Sequence, residues 1–335
     1  MANRVLYVGA KAAFCRAAGA TDNTGSWRDT AYTDTYIDIS GATAYCYFDF
    51  LNEDTGESDA AVAGETLWLR MDWGRNNDWG TASICEFVDD QDRPLVRFYN
   101  AINGQTVYAQ YNSGTFAAPV WTNISNVVVT VPYAHGEMAC RLKIGEDGNH
   151  TFTLWQEQIL VIPETPFSMS ALTRVDAVVV HGNSGSNNGY AFSQVLATVG
   201  INTIGSKVAY RGPDAAGTYN TFDNGDYTAI DDTALNDSDG AASGTEGERL
   251  TFGVANAPAI PVGLIDINRV WFGLRGKMET TGPMGLKPIV ISGGSETVGD
   301  TIMLTEGISG RPIPYRITYS AFNATGFEMG FESAA

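Results

Sequence analysis

The carboxylates best placed to hydrolyse a glycosidic bond lie in one stretch, CEFVDDQD, which contains Glu86, Asp89, Asp90 and Asp92. Retaining glycosidases use two carboxyl groups about 5 Å apart, and a strand can supply them from alternate residues on one face. Glu86 and Asp90 would share a face only if the strand ran through both. The Asp89–Asp92 sequence is instead typical of a polar turn, so we predict no catalytic residue here.

The three histidines, His135, His150 and His181, offer no nucleophile–base pair and no metal site. The chain has no Gly-x-Ser-x-Gly motif, which would place a serine nucleophile at a tight strand–helix turn. None of the histidines has ligand-type neighbours at the spacing that zinc sites use. A histidine at a turn or strand end usually makes structural hydrogen bonds, and we interpret all three in this way.

A tryptophan-rich segment, WLRMDWGRNNDWG, is the best candidate for ligand binding. Trp73 and Trp79 flank Asn76, Asn77 and Asp78 in a predicted loop beside a core strand. Indole rings stack on the apolar faces of sugars, and amide and carboxylate groups bond to sugar hydroxyls. These five residues therefore form a candidate glycan site. The alternative is that the tryptophans cover the sandwich edge or pack against a neighbouring subunit.

One acidic loop has the composition of a calcium site. Asn236, Asp237 and Asp239 supply hard oxygen ligands at close spacing, and Gly240 allows the turn. No glutamate follows at the EF-hand distance and no helices are predicted on either side, so a solvated acidic loop is the alternative. No other cofactor is predicted.

The elements that would hold these residues are predicted to be strands. In most of the predicted strands apolar and polar residues alternate, as with Leu67, Leu69 and Met71. This alternation gives a strand one buried face and one solvent-exposed face, which is typical of antiparallel sheet. Short helices are conceivable only at residues 11–20 and 166–172. Strands are also predicted at residues 204–211, 227–230 and 315–319. The fold class is all-β.

Residues 173–198 read as a buried strand, a Gly/Asn/Ser loop and a returning strand, which suits the closing step of a large β-sandwich. We therefore predict a jelly-roll domain over residues 1–199, with an N-terminal extension over residues 1–30. A smaller β-sandwich assembly domain follows over residues 200–335. Its acidic stretch, residues 223–248, is predicted to form surface loops.

The composition excludes several function classes. The chain has 335 residues and a net charge of −18, with no basic stripe, so binding to nucleic acid or to an anionic membrane surface is not expected. The N-terminus lacks a convincing signal peptide, and no run of 18 apolar residues suggests membrane insertion. The four cysteines form no CxxC pair and two lie in apolar strands, which predicts reduced thiols and folding in a cytoplasm.

Several segments carry a family resemblance, among them TLWLRMDWG, ACRLKIGEDGNHTFTLWQEQILVIPETPFS and RPIPYRITYSAFNATGFEMGFES. Their order resembles a concanavalin A-like jelly roll of the laminin-G type followed by a second β domain, as in tailed-bacteriophage virion proteins. The resemblance covers nearly the whole chain as a pattern of strands and turns. It implies a non-enzymatic structural or adhesive protein on the virion surface, assembled in the host cytoplasm.

The resemblance also implies partners: other virion proteins, further copies of the chain in a homo-oligomer such as a trimer, and a host-surface glycan. The sequence does not separate a head decoration protein from a tail fibre or spike. Two alternatives stay open, namely a free carbohydrate-binding lectin and a glycoside hydrolase of the concanavalin A-like fold.

Overall fold

The computed structural model describes residues 3–9, 11–24, 35–75, 82–100, 106–125, 129–130, 136–182, 189–231, 238–256, 270–278, 282–315 and 319–335. The chain divides into two compact units, Met1–Val208 and Ala209–Ala335. Both are built from antiparallel strands, which confirms the all-β prediction. In the described ranges, no helix is both long enough and apolar enough to cross a membrane.

The described residues of the first unit form eighteen strands and one short 3₁₀ turn, Ala12–Phe14. The strands are β1 (Arg4–Gly9), β2 (Arg16–Ala18), β3 (Ala20–Thr24), β4 (Thr35–Ser40), β5 (Tyr45–Asp49), β6 (Ala61–Val62), β7 (Thr66–Arg75), β8 (Ala82–Val88), β9 (Pro94–Asn100), β10 (Thr106–Asn112), β11 (Trp121–Asn123), β12 (Val129–Thr130), β13 (Gly136–Lys143), β14 (Asn149–Gln156), β15 (Ile159–Ser168), β16 (Arg174–Val175), β17 (Ala177–His181) and β18 (Gly189–Val199).

Two large sheets form the sandwich of this unit. Sheet 1 has the order β15-β14-β13-β7-β18-β4-β3, with β1 paired to the second half of β18. Sheet 2 has the order β11-β10-β9-β8-β17-β5-β2, with β12 also paired to β10. Strands far apart in sequence are neighbours in both sheets, as in β5-β17-β8, which is the crossing pattern expected of a jelly roll.

The core lies between the two sheets because alternate side chains of each strand point inward. Aromatic rings from opposite sheets meet there. Phe98 of β9 lies 5.5 Å from Phe152 of β14, measured between ring centroids, and Tyr111 of β10 lies 5.3 Å from Phe167 of β15. These contacts join sheet 2 to sheet 1 directly, so the two layers share one apolar interior.

The first unit ends at Val208, later than the predicted boundary at residue 199. Residues 201–211 are not a strand, contrary to the prediction for 204–211. The Gly205 N–H donates to Glu137 at 2.8 Å, and the Val208 N–H donates to Gln194 Oε1 at 3.2 Å. Side-chain acceptors of sheet 1 therefore satisfy this backbone, and the segment belongs to the first unit.

The second unit is also a β structure, with a six-stranded sheet of order β19-β20-β26-β22-β23, in which β24 also pairs with β22, and a two-stranded ribbon, β21-β25. Phe272 and Leu274 of the ribbon pack with Val290, Ile302 and Phe327 in one buried cluster. The strands are β19 (Pro213–Asn220), β20 (Arg249–Val254), β21 (Val270–Gly276), β22 (Gly285–Ser292), β23 (Ser295–Val298), β24 (Ile302–Met303), β25 (Ser309–Tyr315) and β26 (Glu328–Ala334).

Several local predictions were wrong. Residues 11–20 contain the 3₁₀ turn Ala12–Phe14 and then strand rather than a helix, and β15 occupies the start of the helix proposed at 166–172. Residues 227–230 form a 3₁₀ turn, Tyr227–Ala229, capped by the Asp226 carboxylate. Of the strand predicted at 315–319, residues 316–318 lie outside the described residues, Tyr315 ends β25, and Tyr319 begins a single helical turn, α1 (Tyr319–Phe322).

Candidate functional site

One row of side chains crosses the outward surface of sheet 2 from edge to edge. The strand registers place successive members of the row directly opposite one another, and directly opposed residues share a face. From β11 to β2 the row is Asn123, Gln110, Arg97, Glu86, Val179, Tyr47 and Arg16.

A second row runs beside the first and is rich in tyrosine. Tyr108 pairs with Tyr99, which pairs with Ser83, and His181 pairs with Tyr45. We call the two rows together, with Trp121 added and the buried Val179 left out, the polar face. Its members are Arg16, Tyr45, Tyr47, Ser83, Glu86, Arg97, Tyr99, Tyr108, Gln110, Trp121, Asn123 and His181.

The period of the strands explains why these residues face outward. On β9, Phe98 is buried in the core while its neighbours Arg97 and Tyr99 are half-buried on the other side. On β5, Phe48 is likewise buried and Tyr47 is partly exposed. Successive side chains of a strand point to opposite faces of the sheet. Since Phe98 and Phe48 point into the sandwich interior, the polar and aromatic residues beside them lie on the outer surface.

Arg97, on β9, contacts several other members of the polar face. Its guanidinium carbon lies 4.0 Å from the Trp121 ring centroid and 4.5 Å from that of Tyr99. Its Nε donates to Gln110 Oε1 at 2.8 Å and its Nη1 donates to Ser83 Oγ at 3.0 Å. Gln110 in turn donates to Asn123 at 2.8 Å. The arginine is thus fixed by aromatic rings and neutral acceptors.

Glu86 and His181 form an acid–base pair next to Arg97. Glu86 Oε2 lies 3.3 Å from His181 Nε2, with 14% of the Glu86 side chain and 32% of the His181 side chain exposed. Burial raises the pKa of Glu86, but its interactions with His181, Ser83 and Arg97 outweigh burial and hold the pKa below its usual value. Glu86 therefore carries a negative charge at neutral pH.

The other end of the polar face is aromatic. Tyr45 and Tyr47 meet edge to face, with ring centroids 5.4 Å apart. The Arg16 guanidinium covers Tyr47 at 4.2 Å and forms ion pairs with Asp49 at 2.6 Å and Asp92 at 2.9 Å. Since its charge is matched by two carboxylates, Arg16 contributes a structural clamp over this ring.

Of the five residues in the predicted glycan site, only Trp73 lies among the described residues. Trp73 lies in β7, is 1% exposed and packs against Tyr190 with ring centroids 5.9 Å apart. Its indole is therefore part of the core and presents no face to solvent. The other four candidates, Asn76, Asn77, Asp78 and Trp79, lie outside the described residues, so the loop stays a prediction.

The predicted calcium loop is covered by the structure at one position only. Asp239 is exposed, while Asn236 and Asp237 lie outside the described residues. Within the described ranges, no group of three His, Cys, Asp or Glu side chains is arranged to hold a metal ion.

The remaining acidic and histidine candidates have structural bonding partners. Asp89 Oδ1 accepts the N–H groups of Gln91 and Arg93, each at 3.0 Å, and thereby closes a turn. His150 is buried: its Nδ1 accepts the Gly145 N–H at 3.0 Å, so its Nε2 donates to the Met169 carbonyl at 2.8 Å. His135 lies outside the described residues. Of these candidates, the structure brings only Glu86 and His181 together.

No protein-family model and no curated protein sequence matches the chain. Among solved structures, a glucuronan lyase from the fungus Trichoderma reesei is similar at 12% identity and a TM-score of 0.38, over 59% of this chain and 94% of that one. A carbohydrate esterase from bacteriophage phi24B is similar at 12% identity and a TM-score of 0.38, over 59% of this chain and 100% of that one.

The carbohydrate recognition domain of Emp47p is similar at 10% identity and a TM-score of 0.35, over 58% of this chain and 96% of that one. These likenesses concern general β-sandwich architecture, and they decide nothing about what this chain binds or does.

Proposed function

We propose that this chain is a non-enzymatic adhesive protein that binds glycans through the polar face of its first unit. The observation that carries the proposal is the row of aromatic, amide and charged side chains on six of the seven strands of the main path of sheet 2, with the buried Val179 at the β17 position. Sugar rings stack on half-exposed tyrosine and tryptophan side chains, and amide and carboxylate groups bond to hydroxyls.

The size of the polar face suits an extended ligand. The row runs from β11 to β2 across six inter-strand steps of about 4.8 Å each, which gives a length of roughly 29 Å. That length accommodates an oligosaccharide of several residues lying across the strands. Trp121 and Tyr47 stand towards opposite ends of the row and would stack on separate sugar residues.

We further propose that the protein works on the surface of a bacteriophage particle, after assembly in the host cytoplasm, together with other virion proteins and further copies of itself. The sequence resemblance to two-domain virion proteins supports this placement. Exposed apolar side chains supply candidate contact points. Ile159 and Leu160, in the hairpin of β14 and β15, are 70% and 53% exposed, and Met303 of the second unit is 55% exposed.

The glycan proposal is tested with the full-length chain on a glycan array, followed by titration calorimetry on the glycans that bind. Trp121→Ala and Tyr47→Ala should each weaken binding about tenfold, because each removes a stacking ring. Trp155→Ala is the matched control, since Trp155 stacks on Trp68 at 5.5 Å on sheet 1. Equal binding by all three variants would refute the proposed surface.

The virion placement has its own test. Electron microscopy of the particle that carries the chain, labelled with an antibody, should show the protein at the surface in several copies. Recovery of the protein only as a free monomer would contradict this placement and favour a free lectin.

Glycan hydrolysis is the second candidate, and the Glu86–His181 contact of 3.3 Å favours it, because an ionised carboxylate can accept a proton as a general base. Incubation with the glycans that bind separates the candidates. Release of new reducing ends that is lost in Glu86→Gln would establish hydrolysis, and unchanged glycans would support adhesion.

A further inference from the structure

Arg97 differs from the other arginines that lie over aromatic rings. Among the described residues, Arg16, Arg93, Arg141 and Arg249 also cover a ring. Each of those four forms an ion pair with a carboxylate at 2.9 Å or less. Within the same residues, Arg97 alone has stacked rings and no carboxylate within ion-pair distance. Its guanidinium therefore makes no ion pair there, although the Glu86 charge acts on it from the adjacent strand.

The hydrogen bonds of Arg97 leave one edge of the guanidinium open. Nε is used by Gln110 and one hydrogen of Nη1 is used by Ser83. The second Nη1 hydrogen and both Nη2 hydrogens have no acceptor among the described residues. One hydrogen of each Nη atom points along the Nη1–Nη2 edge, and an edge of this kind can bind a carboxylate with two parallel hydrogen bonds.

The surroundings hold this edge ready for a ligand. Trp121 and Tyr99 contact the guanidinium group, while Gln110 fixes its Nε side. Burial lowers the pKa of Arg97, against the raising effect of the Glu86 charge. A bound anion would restore the stabilisation that the guanidinium loses by leaving water.

We propose that the polar face selects glycans that carry carboxylate groups, uronic or sialic acids, and that the Nη1–Nη2 edge of Arg97 binds the sugar carboxylate. This inference rests on the proposed glycan-binding function and names its ligand class. Glu86 lies on the adjacent strand, where it repels a second carboxylate and accepts sugar hydroxyls instead. The site therefore takes one acidic group at Arg97 and neutral groups beside Glu86.

Local charge, rather than net charge, decides this preference. The chain carries a net charge of −18, which repels acidic polymers over long distances. The contact at Arg97 acts at hydrogen-bond distance on a partly buried group, where salt screens it weakly. We therefore expect added salt to strengthen or leave unchanged the binding of acidic glycans by this face, since it weakens only the long-range repulsion.

The test uses the full-length chain and matched pairs of ligands: oligoglucuronate, oligogalacturonate and sialyl-oligosaccharides, each alongside the same sugar with its carboxyl groups reduced to alcohols. Calorimetry should show that at least one acidic sugar binds about tenfold or more tightly than its reduced form. Arg97→Gln should bring the ratio of acidic-sugar to reduced-sugar affinity close to one, whatever its effect on the binding of either sugar. Arg97→Lys should keep only part of it, because lysine lacks the two-pronged edge.

Arg141→Gln is the matched control. It removes the same charge from another ring-covered arginine, but one already paired with Glu164 at 2.6 Å, so it should bind as wild type does. Equal binding of acidic and reduced sugars by the wild type would overturn the inference and leave the glycan proposal intact. Retention of the acid preference in a folded Arg97→Gln would also overturn it. Failure of the wild type to bind any saccharide would refute both proposals.

Discussion

Arg70 offers the sharpest test of the forces that hold sheet 1 to the segment that ends the first unit. Its side chain is 0% exposed and lies 2.8 Å from Asp72 and 3.7 Å from Glu137. It also donates to the Gln194 carbonyl at 2.8 Å. Glu137 and Gln194 in turn accept N–H groups of Gly205 and Val208. Arg70→Met removes the guanidinium that lies against both carboxylates.

The expected loss is large because two buried carboxylates lose the guanidinium that they share. Breaking a buried ion pair by removing one partner costs about 3–5 kcal/mol. A domain of roughly 150–250 residues loses about 2–4 °C in melting temperature for each kcal/mol. The first unit of Arg70→Met should therefore melt about 6–20 °C lower than that of the wild type.

Differential scanning calorimetry of the full chain measures this effect, with tryptophan fluorescence to follow the first unit. Arg141→Met is the control on the same sheet, because its partner Glu164 is 42% exposed and such pairs contribute about 0–1 kcal/mol. A melting temperature for Arg70→Met within about 2 °C of that control would refute the reasoning that the buried cluster depends on its cation.

Three further outcomes are expected. Cys15 is partly exposed, whereas the other three cysteines are buried and burial raises the pKa of their thiols. Mass spectrometry after a brief treatment with a thiol reagent should therefore find only Cys15 modified, and fast labelling of all four cysteines would contradict the structure. Folding lowers the pKa of Glu86, so the ionised Glu86 stabilises the fold above its ordinary pKa of 4.5, and this stabilisation is lost as the pH falls through the pKa of the folded state. Glu86→Gln should therefore make the free energy of unfolding less dependent on pH at acid pH, and an unchanged pH dependence would argue against the His181 contact. Gly148 has a φ of 80° in the β13–β14 hairpin, so Gly148→Ala should lower the free energy of unfolding by about 1 kcal/mol, as measured by thermal unfolding. Gly240→Ala is the control, because its added methyl group would meet no atom within 4 Å and should change the free energy of unfolding very little. Equal losses in the two variants would show that the turn tolerates a side chain.

Much of the fold could be predicted because alternation is a local property. The alternation of Leu67, Leu69 and Met71 predicts a strand, and all three residues lie in β7, Thr66–Arg75. The errors arose where side chains compete with the backbone for hydrogen bonds. At residues 227–230 the Asp226 carboxylate accepts the Thr228 N–H at 2.9 Å and closes a tight turn in place of a strand.

The candidate site was harder to predict. The outward positions of single strands, such as Arg97 and Tyr99, are visible in the pattern Val96-Arg97-Phe98-Tyr99. Nothing in that pattern indicates that Glu86 and His181, 95 positions apart in the sequence, lie 3.3 Å apart on the adjacent strands β8 and β17. The glycan site was predicted in the tryptophan-rich segment because aromatic, amide and carboxylate residues lie close together there in the sequence. Trp73 of that segment is nevertheless buried in the core.

The sequence by itself determined the all-β class, the acidic character of the chain and the face of each strand that turns inward, because burial of apolar side chains with period two depends only on near neighbours. Only the tertiary structure decided which outward residues stand side by side, since strand order and register are set by pairing between distant segments. The same pairing left Arg97 between two rings with neutral partners, while every other ring-covered arginine of the described residues received a carboxylate.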